Sequence, residues 1–247
     1  MKICNIGHAR SRSTYLTQHL SNHYNLYNYS EIYSSCKSYK PNKDKLDNYR
    51  NTVKNFTNQL VTKNKFIIKV WPIFFSSDCL LNCNNLILNL NECFRFDLYD
   101  QIIVTYRDPI TALCSLNVSK RFGFNFNNIA KLNESLHLRY SDMTYIDLYD
   151  RNNLSFLQEI FLIPLVIKYL RRKNINFIEL EYTSIPEYLK RFELTSQKTP
   201  ISRNKIPSVI DTKTDYKKCI SNYNEVQDFV HKYREENKVL LENIQFI

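Results

Sequence analysis

This 247-residue chain contains only two glycines, where average usage would supply roughly 17. A chain that sparing must place them where no other residue will serve. One of the two, Gly7, stands between a short apolar strand at residues 3–6 and a loop rich in Ser and Arg. A helix follows, from Ser13 to about residue 23. A strand that turns at once into a helix aims free backbone N–H groups and the positive end of the helix dipole at one point, an arrangement suited to an anion.

The spacing Gly7-x-x-x-x-Arg12-Ser13-Thr14 parallels a Walker A loop, G-x-x-x-x-G-K-[ST], with Arg12 in place of Gly and Ser13 in place of Lys. Such a loop holds phosphate but lacks the lysine of ordinary Mg·NTP chemistry. The plainer alternative is a Ser/Thr helix cap beside a solvated Arg or two. The net charge of +10 also favours a phosphate-bearing partner. The positive surplus is dispersed with no Lys/Arg run of five, so no nucleic-acid tail is expected. Abundant Asn, Lys, Ile and Tyr beside so little Gly indicates AT-biased coding.

Length and a hydrophobic content of 43% suit a single domain over residues 1–247. Seven Cys is an odd number. Cys79 and Cys83 come closest in sequence, at helical spacing and with no companion cluster, so no metal is expected. Free thiols in a reducing compartment are the simpler reading. The first residues are too polar for a signal peptide. The longest apolar stretch, 156–170, is interrupted by Gln158, Glu159, Pro164 and Lys168, which reads as too short and polar for a membrane span. A soluble, cytoplasmic protein is the expectation.

Strand-like runs recur at 26–29, 65–70, 101–106 and 176–182, and helical patterns at about 45–62, within 79–98, from Pro109 to about 120, at 153–173 and at 224–243. Strands alternating with helices imply an α/β fold: a central parallel sheet flanked by helices, with ligands at the carboxyl ends of the strands. Three strand ends carry polar sets. The first is Arg10, Ser11, Arg12, Ser13 and Thr14. The second is Arg107 with Ser115, about two helical turns on and so roughly 10 Å along the axis; alone, this is also a common strand-to-helix junction. The third is Ser30-Glu31, where a carboxylate beside the loop would serve as a general base or simply face solvent. Lys69 late in its strand must snorkel to the strand end or meet an anion.

Together these residues resemble the sulfotransferases that use 3′-phosphoadenosine 5′-phosphosulfate (PAPS). That family carries G-x-x-[RK]-S-G-[ST]-T after its first strand, around the 5′-phosphosulfate; here the run is Gly7-His8-Ala9-Arg10-Ser11-Arg12-Ser13-Thr14. Its second motif is an Arg followed eight residues later by a Ser, both on the 3′-phosphate, as Arg107 and Ser115 would be. A later Tyr near the nucleotide matches Glu181-Tyr182-Thr183. The resemblance implies a P-loop α/β fold, PAPS as co-substrate, PAP (the desulfated nucleotide) as product and no metal. In bacterial and Golgi-type members a Glu after the loop helix is the base, a role that falls to Glu31 in SEIY. The resemblance covers about residues 2–32, 65–75, 101–120 and 176–193.

The chain departs from the family in several places. Arg12 occupies a glycine position, so its backbone must avoid positive φ or accept strain. Lys69-Val70-Trp71 lacks the His of the cytosolic K-T-H motif, and the C-terminal R-K-G loop is absent, with Ser202-Arg203-Asn204-Lys205 as its only substitute. The expectation is sulfuryl transfer to a hydroxyl or amine on a carbohydrate, lipid or small molecule. Glu31 would be the base with His8 its rival, Arg10 would stabilise the leaving phosphate, and Lys69 would sit near the sulfuryl group. The aromatic stretch 122–149 would shape the acceptor pocket. The alternatives are a degenerate P-loop kinase or NTPase with Asp108 as its Walker B carboxylate, and a non-catalytic nucleotide- or polyanion-binding module.

Overall fold

In the computed structural model five runs form strands: β1 (Lys2–Gly7), β2 (Tyr27–Ser30), β3 (Phe66–Val70), β4 (Gln101–Tyr106) and β5 (Ile178–Glu181). The structure describes residues 1–8, 10–30, 43–71, 90–91, 94–121, 144–193 and 216–242. The strands pair in parallel in the order β2-β3-β1-β4-β5. The described helices are α1 (Ser13–Tyr24), α2 (Lys43–Val61), α3 (Pro109–Arg121), α4 (Arg151–Arg172), α5 (Ile185–Glu193), α6 (Tyr216–Cys219) and α7 (Tyr223–Glu242). The fold is therefore α/β, a parallel sheet with helices on both faces.

The handedness of parallel crossovers explains which helix covers which face. The step from β1 to β2 runs one way along the sheet, and its helix α1 packs on one face with α5. The steps from β2 to β3 and from β4 to β5 run the other way, so α2 and α4 cover the opposite face. Side-chain alternation supplies each face with its own core. Ile3, Ile67, Ile103 and Leu180 meet Leu16 and Leu20 of α1. Cys4, Ile6, Ile68, Val70 and Val104 meet Val53 and Leu60 of α2 and Leu162 to Leu170 along α4. Each fully buried aliphatic side chain of this kind contributes about 1.5–3 kcal/mol. A further cluster joins α3, the start of α4, α6 and α7, among them Ile110, Leu113, Leu157, Val226 and Val230.

The α1 face changes character part-way along the strands. Ile3 is followed two residues on by Asn5 and then Gly7, Ile67 by Lys69, and Ile103 by Thr105. Register aligns these positions: Asn5 pairs with Lys69 on one side, and Gly7 with Thr105 on the other. A polar row therefore crosses three adjacent strands under the start of α1.

β3 lies between β1 and β2, and Ser30 registers with Ile68. The end of β2 is thus two strand spacings from β1, roughly 10 Å. Glu31 itself, like 122–143 and 202–205, lies outside the described residues. The stretch read as too short and polar for a span is corrected in that one respect: α4, at 22 residues, is long and apolar enough by length and composition, although 67% of its most apolar window is buried in the protein. It runs through Pro164, which sits on the exposed stripe, where the carbonyl it leaves without a partner is nearest solvent. Helices α5 and α6 were not expected from the sequence. Cys4 and Cys114 are buried free thiols; burial drives the Cys4 thiol far upward and raises Cys114 to about 12.

Candidate functional site

Beyond β1 the chain turns toward one edge of the sheet, and beyond β4 toward the other, so the carboxyl ends of β1 and β4 border a topological switch point, where α/β sheets hold ligands. Gly7 is required there by space. A Cβ on it would overlap Thr105 Oγ1 and stand 3.0 Å from both Ser11 Oγ and Ser13 Cβ.

The floor of the site is a buried polar network. Asn5 donates through Nδ2 to the Ser13 carbonyl at 2.8 Å and to Thr17 Oγ1 at 2.9 Å, and its Oδ1 accepts from Thr105 at 3.5 Å. The Ser11 hydroxyl donates to the His8 carbonyl at 2.7 Å and lies 3.2 Å from Thr105 Oγ1. The Ser13 hydroxyl also reaches the His8 carbonyl, at 3.5 Å. Buried polar groups are tolerated when they satisfy one another, and here they fix the first turn of α1. The residue before that turn is Arg12, in the left-handed conformation (φ 60°, ψ 13°) and with no side-chain cap on the helix. The Arg12 side chain thus leaves the first-turn N–H groups uncapped, a situation that favours an anion. Arg10 also has positive φ, 66°. The sequence left Arg12 a choice between avoiding this region and bearing its strain; the chain bears the strain.

The wall is cationic. Arg10 donates through Nε to Ser115 Oγ at 3.1 Å. Arg107 donates to the Arg10 carbonyl at 3.4 Å and to the Tyr216 hydroxyl of α6 at 3.3 Å. The guanidinium carbons of Arg12 and Arg107 lie 3.9 and 4.0 Å from the centroid of the same ring, Tyr182, and Arg12 donates to the Tyr182 carbonyl at 3.2 Å. Among the described residues no carboxylate meets Arg12 or Arg107. Sharing one ring centroid puts the two cations less than about 8 Å apart, so they repel by roughly 2 kcal/mol or more at an effective dielectric near 20. Contact with the ring offsets part of this. Burial pulls the Arg10 guanidinium below the ordinary arginine value; Tyr216 opposes the shift and Arg107 reinforces it. A multiply charged anion would relieve the repulsion between Arg12 and Arg107.

Lys69 approaches from the β3 side, donating to Thr14 Oγ1 at 2.8 Å and lying 5.1 Å from the Trp71 ring centroid. Arg10, Arg12, Arg107, Ser115 and Tyr182 thus meet at one end, Lys69 and Thr14 at the other, with Ser11 and Ser13 in the floor between. His8 is fully buried and its Nε2 accepts the Arg107 backbone N–H at 3.1 Å. That lone pair is engaged, so the ring ties β1's loop to β4's. Asp108 caps α3, accepting the Thr111 N–H at 2.9 Å.

Sequence reasoning missed Asn5, Thr105 and Tyr216. A polar residue inside an apolar strand was the available signal for the first two. Tyr216 had none, because it reaches Arg107 from 109 residues along the chain. Compared with protein-family models and with curated protein sequences, the chain has no match.

Proposed function

We propose that this chain is a P-loop α/β enzyme that transfers a sulfuryl group from PAPS to a hydroxyl or amine acceptor. The observation carrying this reading is the meeting of Arg10 and Arg12, from the loop after β1, with Arg107 and Ser115, from the β4–α3 junction. Three cations and an uncapped helix start ask for a ligand with separated anionic groups, and PAPS has a 5′-phosphosulfate and a 3′-phosphate. The loop and Lys69 would cradle the first, with Arg107 and Ser115 on the second. The capping role of Asp108 weighs against its use as a Walker B carboxylate, and hence against the kinase alternative.

In the reaction the acceptor's O–H or N–H proton passes to Glu31 as the acceptor's lone pair forms a bond to sulfur. The bond from sulfur to the bridging phosphate oxygen breaks, and its electrons leave on the 5′-phosphate of PAP. Charge developing on that phosphate falls to Arg10 and the α1 amides, while Lys69 lies on the sulfuryl side. His8 is less suited to be the base, because its Nε2 lone pair already holds the Arg107 N–H. Glu31→Gln should retain PAP affinity and lower turnover by about 10²–10⁴ in a sulfate-transfer assay. Normal turnover would remove Glu31 from this role.

The reading as a whole is tested by thermal shift and calorimetry with PAP, PAPS and ATP·Mg²⁺. PAP should bind without metal; at 100 times its Kd it stabilises by about 2.7 kcal/mol. Strong stabilisation by ATP·Mg²⁺ with none by PAP would favour the kinase or NTPase reading instead. Binding of PAP with no transfer to any acceptor would favour a nucleotide-binding module.

A further inference from the structure

Arg12 belongs to the phosphate loop by sequence but not by the direction of its side chain. Its backbone sits at the entry to α1, whereas its guanidinium reaches the carboxyl end of β5, where it contacts both the ring and the carbonyl of Tyr182. The same ring carries Arg107. The Arg12 Nε is buried with no hydrogen-bond partner, and its backbone holds a φ of 60° that a residue with a Cβ adopts at a cost. A purely structural side chain here would gain by losing its charge: the position disfavours it, a like charge stands beside it, and one of its donors is unsatisfied. Each of these costs would be offset by an anionic group lying between Arg12 and Arg107.

We propose that Arg12 is a specificity-determining residue of the second anion subsite, acting with Arg107 on the ligand's 3′-phosphate rather than with the loop on its 5′-phosphosulfate. The proposal rests on the PAPS reading above. Two guanidiniums then flank one phosphate, and the site discriminates strongly against nucleotides that lack it. Tyr182 is their shared support, holding both cations at the β5 end until the ligand arrives.

The test compares PAP with 5′-AMP, which differ only in the 3′-phosphate, by calorimetry on the full chain and its Arg12→Gly and Arg107→Ala variants. In the parent protein PAP should bind more tightly than 5′-AMP. Arg12→Gly should cut that preference about tenfold or more, the scale of a lost charge-assisted contact, and leave 5′-AMP affinity within about twofold. It should also raise the melting temperature of the ligand-free protein, because glycine accepts the positive φ and one uncompensated cation is gone. An Arg12 that merely held Tyr182 in place would lower that temperature. Equal weakening of both nucleotides would return Arg12 to the 5′ end and overturn the proposal, as would an unchanged preference while Arg107→Ala abolishes it. Failure of the parent protein to bind PAP would overturn the PAPS reading itself, and this proposal with it.

Discussion

The floor and the wall of the site lie a few ångströms apart and solve opposite problems. In the floor, Asn5, Ser11, Ser13, Thr17 and Thr105 direct hydrogen bonds to one another or to adjacent backbone. In the wall, Arg12 and Arg107 lean on an aromatic ring and on neutral oxygens. A neutral acceptor satisfies a guanidinium's geometry but leaves its charge uncompensated. The floor thus gives shape and rigidity in the absence of ligand, while the wall stores electrostatic demand for one. Changes in the floor should act on stability first, and changes in the wall on affinity.

The most severe break of that division is Gly7→Ala, whose Cβ would overlap Thr105 Oγ1. It should cost about 3 kcal/mol or more in urea unfolding, and removing the obstruction with Thr105→Ala should recover a good part of it. No recovery would mean that the loop needs Gly7 for some reason other than space. Next comes Arg107→Ala, which should weaken PAP about ten- to hundredfold in calorimetry while adenosine 5′-phosphosulfate changes little, the loss being roughly 1.5–3 kcal/mol. Equal loss for both would make Arg107 a scaffold residue and erase the distinction between floor and wall.

Asn5→Ala sharpens the comparison from the other side. It removes both donors that hold Ser13 and Thr17, so the unfolding free energy should fall by about 1–3 kcal/mol. Any loss of PAP affinity should affect its 5′ end, so 5′-AMP should weaken in parallel. The smallest effect is expected at the surface pair of Arg171 and Glu179, 2.6 Å apart and partly exposed. Arg171→Ala should change stability by under about 1 kcal/mol and leave ligand binding untouched. A larger change would show that the outer face of β5 communicates with the wall.

Of the floor, Ser11 and Ser13 were read from the loop, while Asn5 and Thr105 were missed although each leaves a signal, a polar residue two positions after an isoleucine in a short strand-like run. Gly7 marked the loop because the chain spends so few glycines. Other features depend on spatial order, which a linear reading does not contain. That β3 intervenes between β1 and β2 moved the end of β2 outward by a strand. The contact of Tyr216 with Arg107 required a distant segment to return. Arg12 was legible as an anomaly, but its side chain's direction toward Tyr182 was not.

The residues with positive φ fall into two kinds. Besides Arg10 and Arg12 they include Asn25 and Asn174, both at 52°, each just beyond a long helix: the Asn25 N–H returns to the Ser21 carbonyl, and the Asn174 N–H to that of Arg171. Asparagine tolerates this conformation best among residues with a Cβ, and both helix ends use it. The two loop positions hold arginine instead, so the chain sets two positive charges at a conformation that arginine fits poorly.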